Sequence, residues 1–286
     1  LISVKGDLHC HTKLSDSSEG IEEVIALAKR VGLDFISITD HDTMASFSRS
    51  RILSERYGIT VIPGVEFSGY DELRNRKVHI LCYLPLKPDR LEGLCIRANE
   101  SRKKAGNEMA RLVMKKYPIT PESITKYSSG SNCIYKQHIM RALFDAGYTT
   151  TIYGPLFNQL FARKTGSCSV LYRYPDVYEV LNAIHEAGGI AVMAHPSVYQ
   201  SMDLLRELVD KNLLDGVEVY HPRNTQEDIP QILELAKQHD LLVTGGSDFH
   251  GMYSSTDQSF IGSRTVGKET LERLYHISSH YKEIVK

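Results

Sequence analysis

Histidine and acidic side chains recur at the ends of apolar, β-branched segments of this 286-residue chain. The first such segment ends in the run DLHCH (residues 7–11), and because side chains alternate along a strand, Asp7, His9 and His11 share one face. Two imidazoles on one face can chelate a metal ion. Asp16 follows in a Ser-rich loop, where it either joins such a site or caps a helix predicted to begin near residue 20.

Further imidazole and carboxylate groups lie on or just beyond later apolar segments: His41, Glu66, His79, His195, Asp248 and His250. A lone histidine in a strand is more often a hydrogen-bonded core residue than a ligand. The repetition favours a shared site, because the strand ends of a β/α barrel meet at one rim. Such a set exceeds the coordination sphere of one ion and predicts two or three divalent ions. Ligation without thiolate favours Zn, Mn or Fe, and Cys10 is not an expected ligand.

Two more carboxylates and two more histidines are candidates for catalysis. Asp7 and Asp40 lie beside predicted ligands, and we expect them to accept the far N–H of an imidazole and so fix its tautomer; a helix cap is the alternative for Asp40. His221 and His138 are candidates to protonate the leaving oxygen. A turn role for His221 and a packing role for His138 are the alternatives.

Seven short apolar segments predict the strands that position these groups: residues 2–8, 35–39, 60–65, 78–84, 190–194, 216–220 and 241–244. Helical periodicity follows most of them, at residues 21–28, 177–184, 204–209 and 229–235. This alternation predicts an α/β fold with a mainly parallel sheet. Residues 87–174 show only helical patterns, at 89–116, 121–127 and 135–146, and are predicted to be an inserted helical subdomain between barrel segments 1–86 and 175–286.

The predicted insertion concentrates positive charge. The formal net charge of the chain is −1, but residues 97–173 hold 13 Lys or Arg against four acids, a local +9. Such a segment attracts anions, although a solvated helical face is the alternative for any one residue. Arg102, Asn107, His138 and Arg223 are candidates to bind a second phosphate of the substrate.

Cysteine usage and hydropathy restrict the setting. Five cysteines without a C-x-x-C pair argue against a disulfide framework or a zinc ribbon and favour a reducing, cytoplasmic compartment. Apolar stretches of only a few residues predict no membrane partner. No serine or cysteine stands in a pattern typical of an activated nucleophile, so we expect hydrolysis by a metal-activated hydroxide without a covalent intermediate.

The order of the motifs identifies a family. The runs DLHCHT (7–12), TDHD (39–42), GVE (64–66), AHP (194–196) and SDFH (247–250) resemble the motif series of the PHP, or polymerase and histidinol phosphatase, superfamily. The insertion, with QHIMRALFDAGY (137–148), and the run GVEVYHP (216–222) are similar to stand-alone bacterial phosphoesterases of that superfamily. That branch includes nucleoside 3′,5′-bisphosphate phosphatases and an exoribonuclease acting from RNA 5′ ends.

This resemblance implies a distorted seven-stranded (β/α) barrel with a helical insertion between strands 4 and 5, and a trinuclear metal site. By position, one metal is held by His9, His11, Glu66 and Asp248, a second by Glu66, His79 and His195, and a third by Asp16, His41 and His250. Two positions depart from the family pattern. Gly106 rather than Arg precedes Asn107, and Tyr135–Gln137 replace a common Gly-Arg-Pro.

The sequence therefore predicts a metal-dependent phosphoesterase that acts on phosphate esters of nucleotides, either nucleoside 3′,5′-bisphosphates or short RNA 5′ ends, and not on duplex DNA. A histidinol-phosphate-type phosphatase shares the predicted metal cluster and is the second enzyme hypothesis. A non-catalytic metal-binding PHP module is the alternative from another class. The oligomeric state is not predicted.

Overall fold

Seven strands form one sheet that curves into a nearly closed barrel, in the order in which they occur along the chain. The computed structural model describes residues 4–284, so the predicted start of the first strand at residues 2 and 3 lies outside the described part. The strands are β1 (Gly6–Cys10), β2 (Phe35–Ile38), β3 (Thr60–Asp71), β4 (Arg76–Tyr83), β5 (Ile190–Met193), β6 (Gly216–Tyr220) and β7 (Leu242–Gly245). Backbone hydrogen bonds between β1 and the residues after β7 close the ring, such as Asp248 N to His9 O at 2.9 Å.

One strand runs against the others. β4 is antiparallel to both β3 and β5, whereas the remaining neighbours are parallel. β3 and β4 form a hairpin, so no helix separates them. The N-terminal end of β4 therefore lies at the rim where the other strands have their C-terminal ends, which is how His79, near the start of its strand, reaches residues at the ends of the others.

Among residues 4–284 the α-helices are α1 (Ile21–Arg30), α2 (Phe47–Tyr57), α3 (Glu92–Met114), α4 (Pro121–Ser128), α5 (Lys136–Asp145), α6 (Pro155–Phe161), α7 (Val177–Glu186), α8 (Met202–Asp210), α9 (Asp228–Gln238) and α10 (Lys268–Ile284). The sequence pattern did not predict α2, α6 or α10. α2 buries only Ser50 and Leu53 of its 11 residues, so it carries little apolar periodicity.

The helical insertion between β4 and β5 has its own hydrophobic core, and α3 links that core to the barrel. Leu94 and Cys95, near the start of α3, pack against barrel helices, whereas Met109 and Val113 pack with α4, α5 and α6. Gly106 lies between these regions, where a Cβ atom would stand 2.2 Å from the carbonyl oxygen of Ile134. A residue with a side chain would therefore require the backbone at Ile134 to shift. The subdomain boundaries at 87 and 174 stay a prediction.

The structure also describes the cysteines and the hydropathy of the helices. All five cysteines are buried and unpaired. Among residues 4–284, no helix combines the length and the apolar character needed to cross a bilayer.

Candidate metal centre

The predicted ligand side chains meet at the rim of the barrel. Within the described chain, three of the groupings whose ligand atoms lie within 4.8 Å of one another draw only on these residues: His9, His11, Glu66 and Asp248; His11, Asp16, His41 and His250; and His41, Glu66 and His79. Residues far apart in the chain are thus brought into one pocket by the strand ends that carry them.

Glu66, at the middle of β3, is the hub of this cluster. Its Oε2 lies 3.1 Å from His9 Nε2, 3.2 Å from His11 Nε2 and 3.3 Å from His41 Nδ1, and its Oε1 lies 2.7 Å from His79 Nδ1 and 3.0 Å from His195 Nε2. A carboxylate with imidazoles on both oxygens has the arrangement of a ligand that bridges two ions.

Asp16 and Asp248 flank this hub on two sides. Asp16 Oδ1 lies 3.1 Å from His250 Nε2, and Asp16 Oδ2 accepts a hydrogen bond from Gln137 Nε2 at 3.1 Å. Asp16 therefore faces the cluster rather than capping a helix. Asp248 Oδ1 lies 3.3 Å from His11 Nε2, and its backbone has the left-handed φ of 52°.

Many ligand atoms at this centre have no hydrogen-bond partner within residues 4–284. Those at the hub and beside it are His9 Nε2, His11 Nε2, His41 Nδ1, Asp16 Oδ1 and Glu66 Oε2. A buried polar atom without a partner is costly, and such a set of nitrogen and carboxylate oxygen atoms suits divalent transition-metal ions. The residues present therefore fit the group that the sequence predicts.

The electrostatics of the cluster favour ionised carboxylates and at least one neutral imidazole. Burial acts to raise the pKa of Asp16 and of Glu66, but the surrounding imidazoles outweigh it and hold the pKa of both carboxyls well below the usual range. Burial also lowers the pKa of His41 well below its ordinary value. Its ring is then neutral and keeps a free electron pair for a cation.

Glu218, which sequence reasoning missed, lies directly behind this centre. It accepts a hydrogen bond from His9 Nδ1 at 2.8 Å and another from the backbone N of His195 at 2.9 Å. The bond to Nδ1 fixes the His9 tautomer that leaves Nε2 free to bind a cation. The available signal was a charged residue at the centre of the apolar run GVEVY, which forms β6.

Asp7 and Asp40 do not have the role predicted for them, because neither carboxylate is hydrogen bonded to an imidazole. Asp7 accepts hydrogen bonds from the backbone N of His9, Ser247 and Gly262 at 2.9–3.2 Å. Asp40 accepts bonds of 2.7 Å from Thr12 N, Thr12 Oγ1 and Ser15 Oγ. Both carboxylates instead brace the loops that carry the ligands.

The structure does not support a general-acid role for either candidate histidine. His221 is buried behind Asp248, with Nε2 3.3 Å from Asp248 Oδ2 and with Nδ1 accepting a bond from Arg223 N at 3.0 Å. His138 accepts a bond from Tyr135 N at 3.1 Å and so caps the first turn of α5. Burial lowers the pKa of His138 to about 4, which leaves it neutral and unable to donate a proton readily at neutral pH.

A cavity of about 400 Å³ opens between the metal-facing residues and the insertion. Arg102 lines it, but its Nη2 already binds Asp42 Oδ2 at 2.6 Å and Ser68 Oγ at 2.8 Å. Arg223 also lines the cavity and is exposed at its mouth. Asn107 and His138 do not line it, and Asn107 is exposed to solvent, so the cavity gives no support to the predicted contacts of these two residues with a second phosphate.

Aromatic side chains from the insertion and the adjoining loops also line the cavity. They are Tyr135, Tyr153, Phe157, Tyr172, Tyr174, Tyr199 and Tyr253. The rings of Tyr153 and Phe157 are 5.0 Å apart between centroids. Such rings offer faces on which a nucleobase or a sugar can stack.

Comparison with known proteins agrees with this geometry. Residues 7–276 match the family model described as the PHP domain. The chain is 38% identical over 250 residues to the phosphoribosyl 1,2-cyclic phosphate 1,2-diphosphodiesterase of Eggerthella lenta, covering 86% of this chain and 94% of that protein. It is 29% identical over 255 residues to a 3′,5′-nucleoside bisphosphate phosphatase of Chromobacterium violaceum, covering 85% and 86% of the two chains.

A solved structure has the same fold. The crystal structure described as that of a metal-dependent phosphoesterase from Bifidobacterium adolescentis superposes with a TM-score of 0.84 and 28% identity, over 95% of this chain and 96% of that one. The superposition covers the barrel and the insertion together.

Proposed function

Because the chain belongs to the PHP domain family, we propose that its buried histidine and carboxylate centre hydrolyses phosphate esters of nucleotides and of closely related phosphorylated sugars. The observation that carries this proposal is the convergence of unpartnered ligand atoms around Glu66, beside a cavity that can admit a small phosphorylated molecule. The relatives compared above are phosphodiesterases and phosphatases, which supports the same reaction class.

The proposed ligand sets are three. His9, His11, Glu66 and Asp248 would hold one ion; Glu66, His79 and His195 a second; and Asp16, His41 and His250 a third. The short approaches to Glu66 and to Asp16 support these sets. Zn, Mn or Fe fits a mixture of imidazole and carboxylate ligands. When bound, such ions supply a hydroxide nucleophile at neutral pH and neutralise the charge of the phosphoryl oxygens.

The chain's own residues orient that chemistry. Glu218 holds the His9 ring in place, while Asp7 and Asp40 fix the loops on which the ligands lie. The two serines that line the cavity, Ser68 and Ser255, form no hydrogen bond with a histidine in residues 4–284. A serine activated by a general base is therefore absent from the described cavity, which favours direct attack on phosphorus.

The cavity also restricts the substrate. Its volume of about 400 Å³ lies in the range of pockets that enclose a single small molecule, and its aromatic wall suits a base or a sugar. These features favour a nucleoside bisphosphate or a pentose phosphate ester over histidinol phosphate, which has no sugar ring. The end of a short RNA is the second candidate, because one terminal nucleotide would fill the same space.

The test is a side-by-side assay of the metal-loaded protein on adenosine 3′,5′-bisphosphate, phosphoribosyl 1,2-cyclic phosphate, histidinol phosphate and a 5′-phosphorylated trinucleotide. We expect turnover of the first two substrates to exceed that of histidinol phosphate by at least about 100-fold, the discrimination that a built binding site gives. Preference for histidinol phosphate would contradict the proposed substrate class. A protein that binds metal but hydrolyses none of these esters would support the non-catalytic module.

A further inference from the structure

Lys77 places a positive charge on the wall of the cavity, next to the metal-facing residues and on the side that is further from the barrel. It lies on β4 two residues before His79, so both side chains are on the same face of the strand. Because β4 is antiparallel to its neighbours, Lys77 lies further from the centre of the barrel than His79 and closer to the insertion. Lys77 and His79 both line the cavity.

The surroundings of Lys77 contain aromatic rings and other cations, but no carboxylate. Its Nζ stands 4.8 Å from the ring centroid of Tyr174 and 5.7 Å from that of Tyr172. The titratable groups that interact electrostatically with it are Tyr172, Arg102, Arg163, His79 and Lys136. No Asp or Glu of residues 4–284 forms an ion pair with Lys77.

Arg102, which lines the same cavity, shows that the lack of a counter-charge is not common to all cations of this cavity. The charge of Arg102 is balanced by Asp42 at 2.6 Å. A second lysine of the cavity, Lys136, has the carbonyl oxygen of Phe161, at 3.3 Å, as its only hydrogen-bond partner within residues 4–284. Lys77 and Lys136 are partly buried. A partly buried cation without a counter-charge is unfavourable in the folded protein, and it is typical of a site that receives an anion from a ligand.

We infer that Lys77, assisted by Lys136, forms a second anion subsite for a phosphoryl group that is not cleaved. This inference rests on the proposed function, because it takes the cleaved ester to lie against the metal-facing residues. Two residues of strand advance the backbone by about 6.8 Å, a span comparable to that between phosphoryl groups at two positions of one pentose ring. The substrate class is therefore a pentose or nucleoside ester that carries a second phosphoryl group about one sugar ring away.

The subsite can be tested with substrate pairs that differ only in the second phosphoryl group. One pair is adenosine 3′,5′-bisphosphate and adenosine 3′-monophosphate, and the other is ribose 1,2-cyclic phosphate with and without a 5-phosphate. In the metal-loaded enzyme we expect Lys77→Met to lower kcat/KM by about 30-fold for the doubly charged member, the loss of one charge-assisted hydrogen bond. The singly phosphorylated member should change by less than about 3-fold.

Two further variants separate charge from structure. Lys77→Arg keeps the charge and should recover most of the loss, whereas Lys104→Met, at an exposed position of α3 outside the cavity, should change neither member of a pair. An equal loss on both members of a pair would overturn the subsite, because it would indicate damage to the metal-facing wall. Unchanged kinetics in Lys77→Met would also overturn it.

A binding measurement keeps this inference distinct from the proposed function. If the wild type hydrolyses neither pair, the proposed function fails, and calorimetric titration of adenosine 3′,5′-bisphosphate and adenosine 3′-monophosphate into the metal-loaded wild type and Lys77→Met decides the subsite. A preference for the bisphosphate that Lys77→Met abolishes would support it. Equal binding of the two ligands to the wild type would refute it.

Discussion

The metal-facing residues and Arg102, which lie on two walls of the cavity, differ in whether the protein matches their charges. On the barrel wall, atoms such as His11 Nε2 and Glu66 Oε2 are buried without hydrogen-bond partners. On the insertion wall, Arg102 already pairs through Nη2 with Asp42 and with the hydroxyl of Ser68, and only its Nε has no hydrogen-bond partner in residues 4–284. The difference teaches that proximity to a cavity does not make a residue functional. A polar group left unmatched by the protein is the better indicator of a ligand.

The largest effect is expected from a substitution on the barrel wall, where the predicted metal ligands lie. Asp248→Asn keeps the size of the side chain but removes a charge that would hold a cation. We expect kcat to fall by at least about 10³-fold, the equivalent of several kcal/mol of transition-state stabilisation. Steady-state turnover with metal analysis measures this. Asp257→Asn, at an exposed position, is the control, and full activity in Asp248→Asn would contradict the metal centre.

On the insertion wall, the same kind of change should alter stability. Arg102→Met leaves the carboxylate of Asp42 buried without a counter-charge, and we expect the free energy of unfolding to fall by about 3–5 kcal/mol. Urea denaturation measures the change. Arg111→Met removes an exposed ion pair with Glu108 on the same helix and should cost no more than about 1 kcal/mol. The double variant Arg102→Met/Asp42→Asn should recover part of the loss; no recovery would argue against the pairing.

Glu218 tests whether a residue outside the cavity supports the barrel wall, because it is hydrogen bonded to His9 but does not line the cavity. Glu218→Gln weakens the hydrogen bond that fixes the His9 ring, and we expect metal affinity to fall about 10- to 100-fold. Competition with a chelator measures the affinity. Glu234→Gln, exposed on α9, is the matched control and should bind metal as the wild type does. An unchanged affinity in Glu218→Gln would show that the ring is held by its packing alone.

The smallest effect is expected at His138. Burial lowers its pKa to about 4, so between the ordinary value of 6.5 and 4 the unfolded chain binds a proton that the folded chain does not. Stability from this group is therefore complete at neutral pH and is lost as the pH falls below 6.5, by about 1–2 kcal/mol at pH 5. His138→Gln, which can still cap α5, should lack this dependence in urea denaturation of the metal-free protein. Parallel pH curves for the two proteins would contradict the assignment.

The sequence predicted the site best where a residue able to bind a metal ion lies at the end of a predicted strand. His9, His41 and His195 follow apolar segments, and the barrel architecture is enough to bring such positions together. His79 was placed among them by its residue type, although the reversal of β4 that takes it to the rim was not predicted. A hairpin and a parallel crossover both begin with an apolar strand, so the strand pattern alone does not separate them.

Other residues escaped sequence reasoning because their roles depend on partners that are distant in the chain. The pairing of Arg102 with Asp42 joins positions 60 residues apart, and that of Glu218 with His9 joins positions 209 apart. Composition indicated a basic insertion, but not which of its cations were neutralised. For Asp7 and Asp40 the sequence suggested a role that the structure does not show. Each lies beside a predicted metal ligand in the sequence, but its carboxylate accepts hydrogen bonds from loop backbone and hydroxyl groups rather than from an imidazole.

The antiparallel direction of β4 also determines where the insertion begins and how α3 connects it to the barrel. Because β4 ends at the side of the barrel opposite the metal-facing rim, residues 92–101 of α3 run about 15 Å along the barrel before Arg102 reaches the cavity. Met109 and Val113, further along the same helix, pack in the core of the insertion. One residue added to α3 between Asn99 and Gly106 would swing everything beyond it by about 100° around the helix axis. A change in the length of α3 can therefore alter which part of the insertion faces the cavity, and so which molecules enter it, without any change in the metal-facing residues of the barrel.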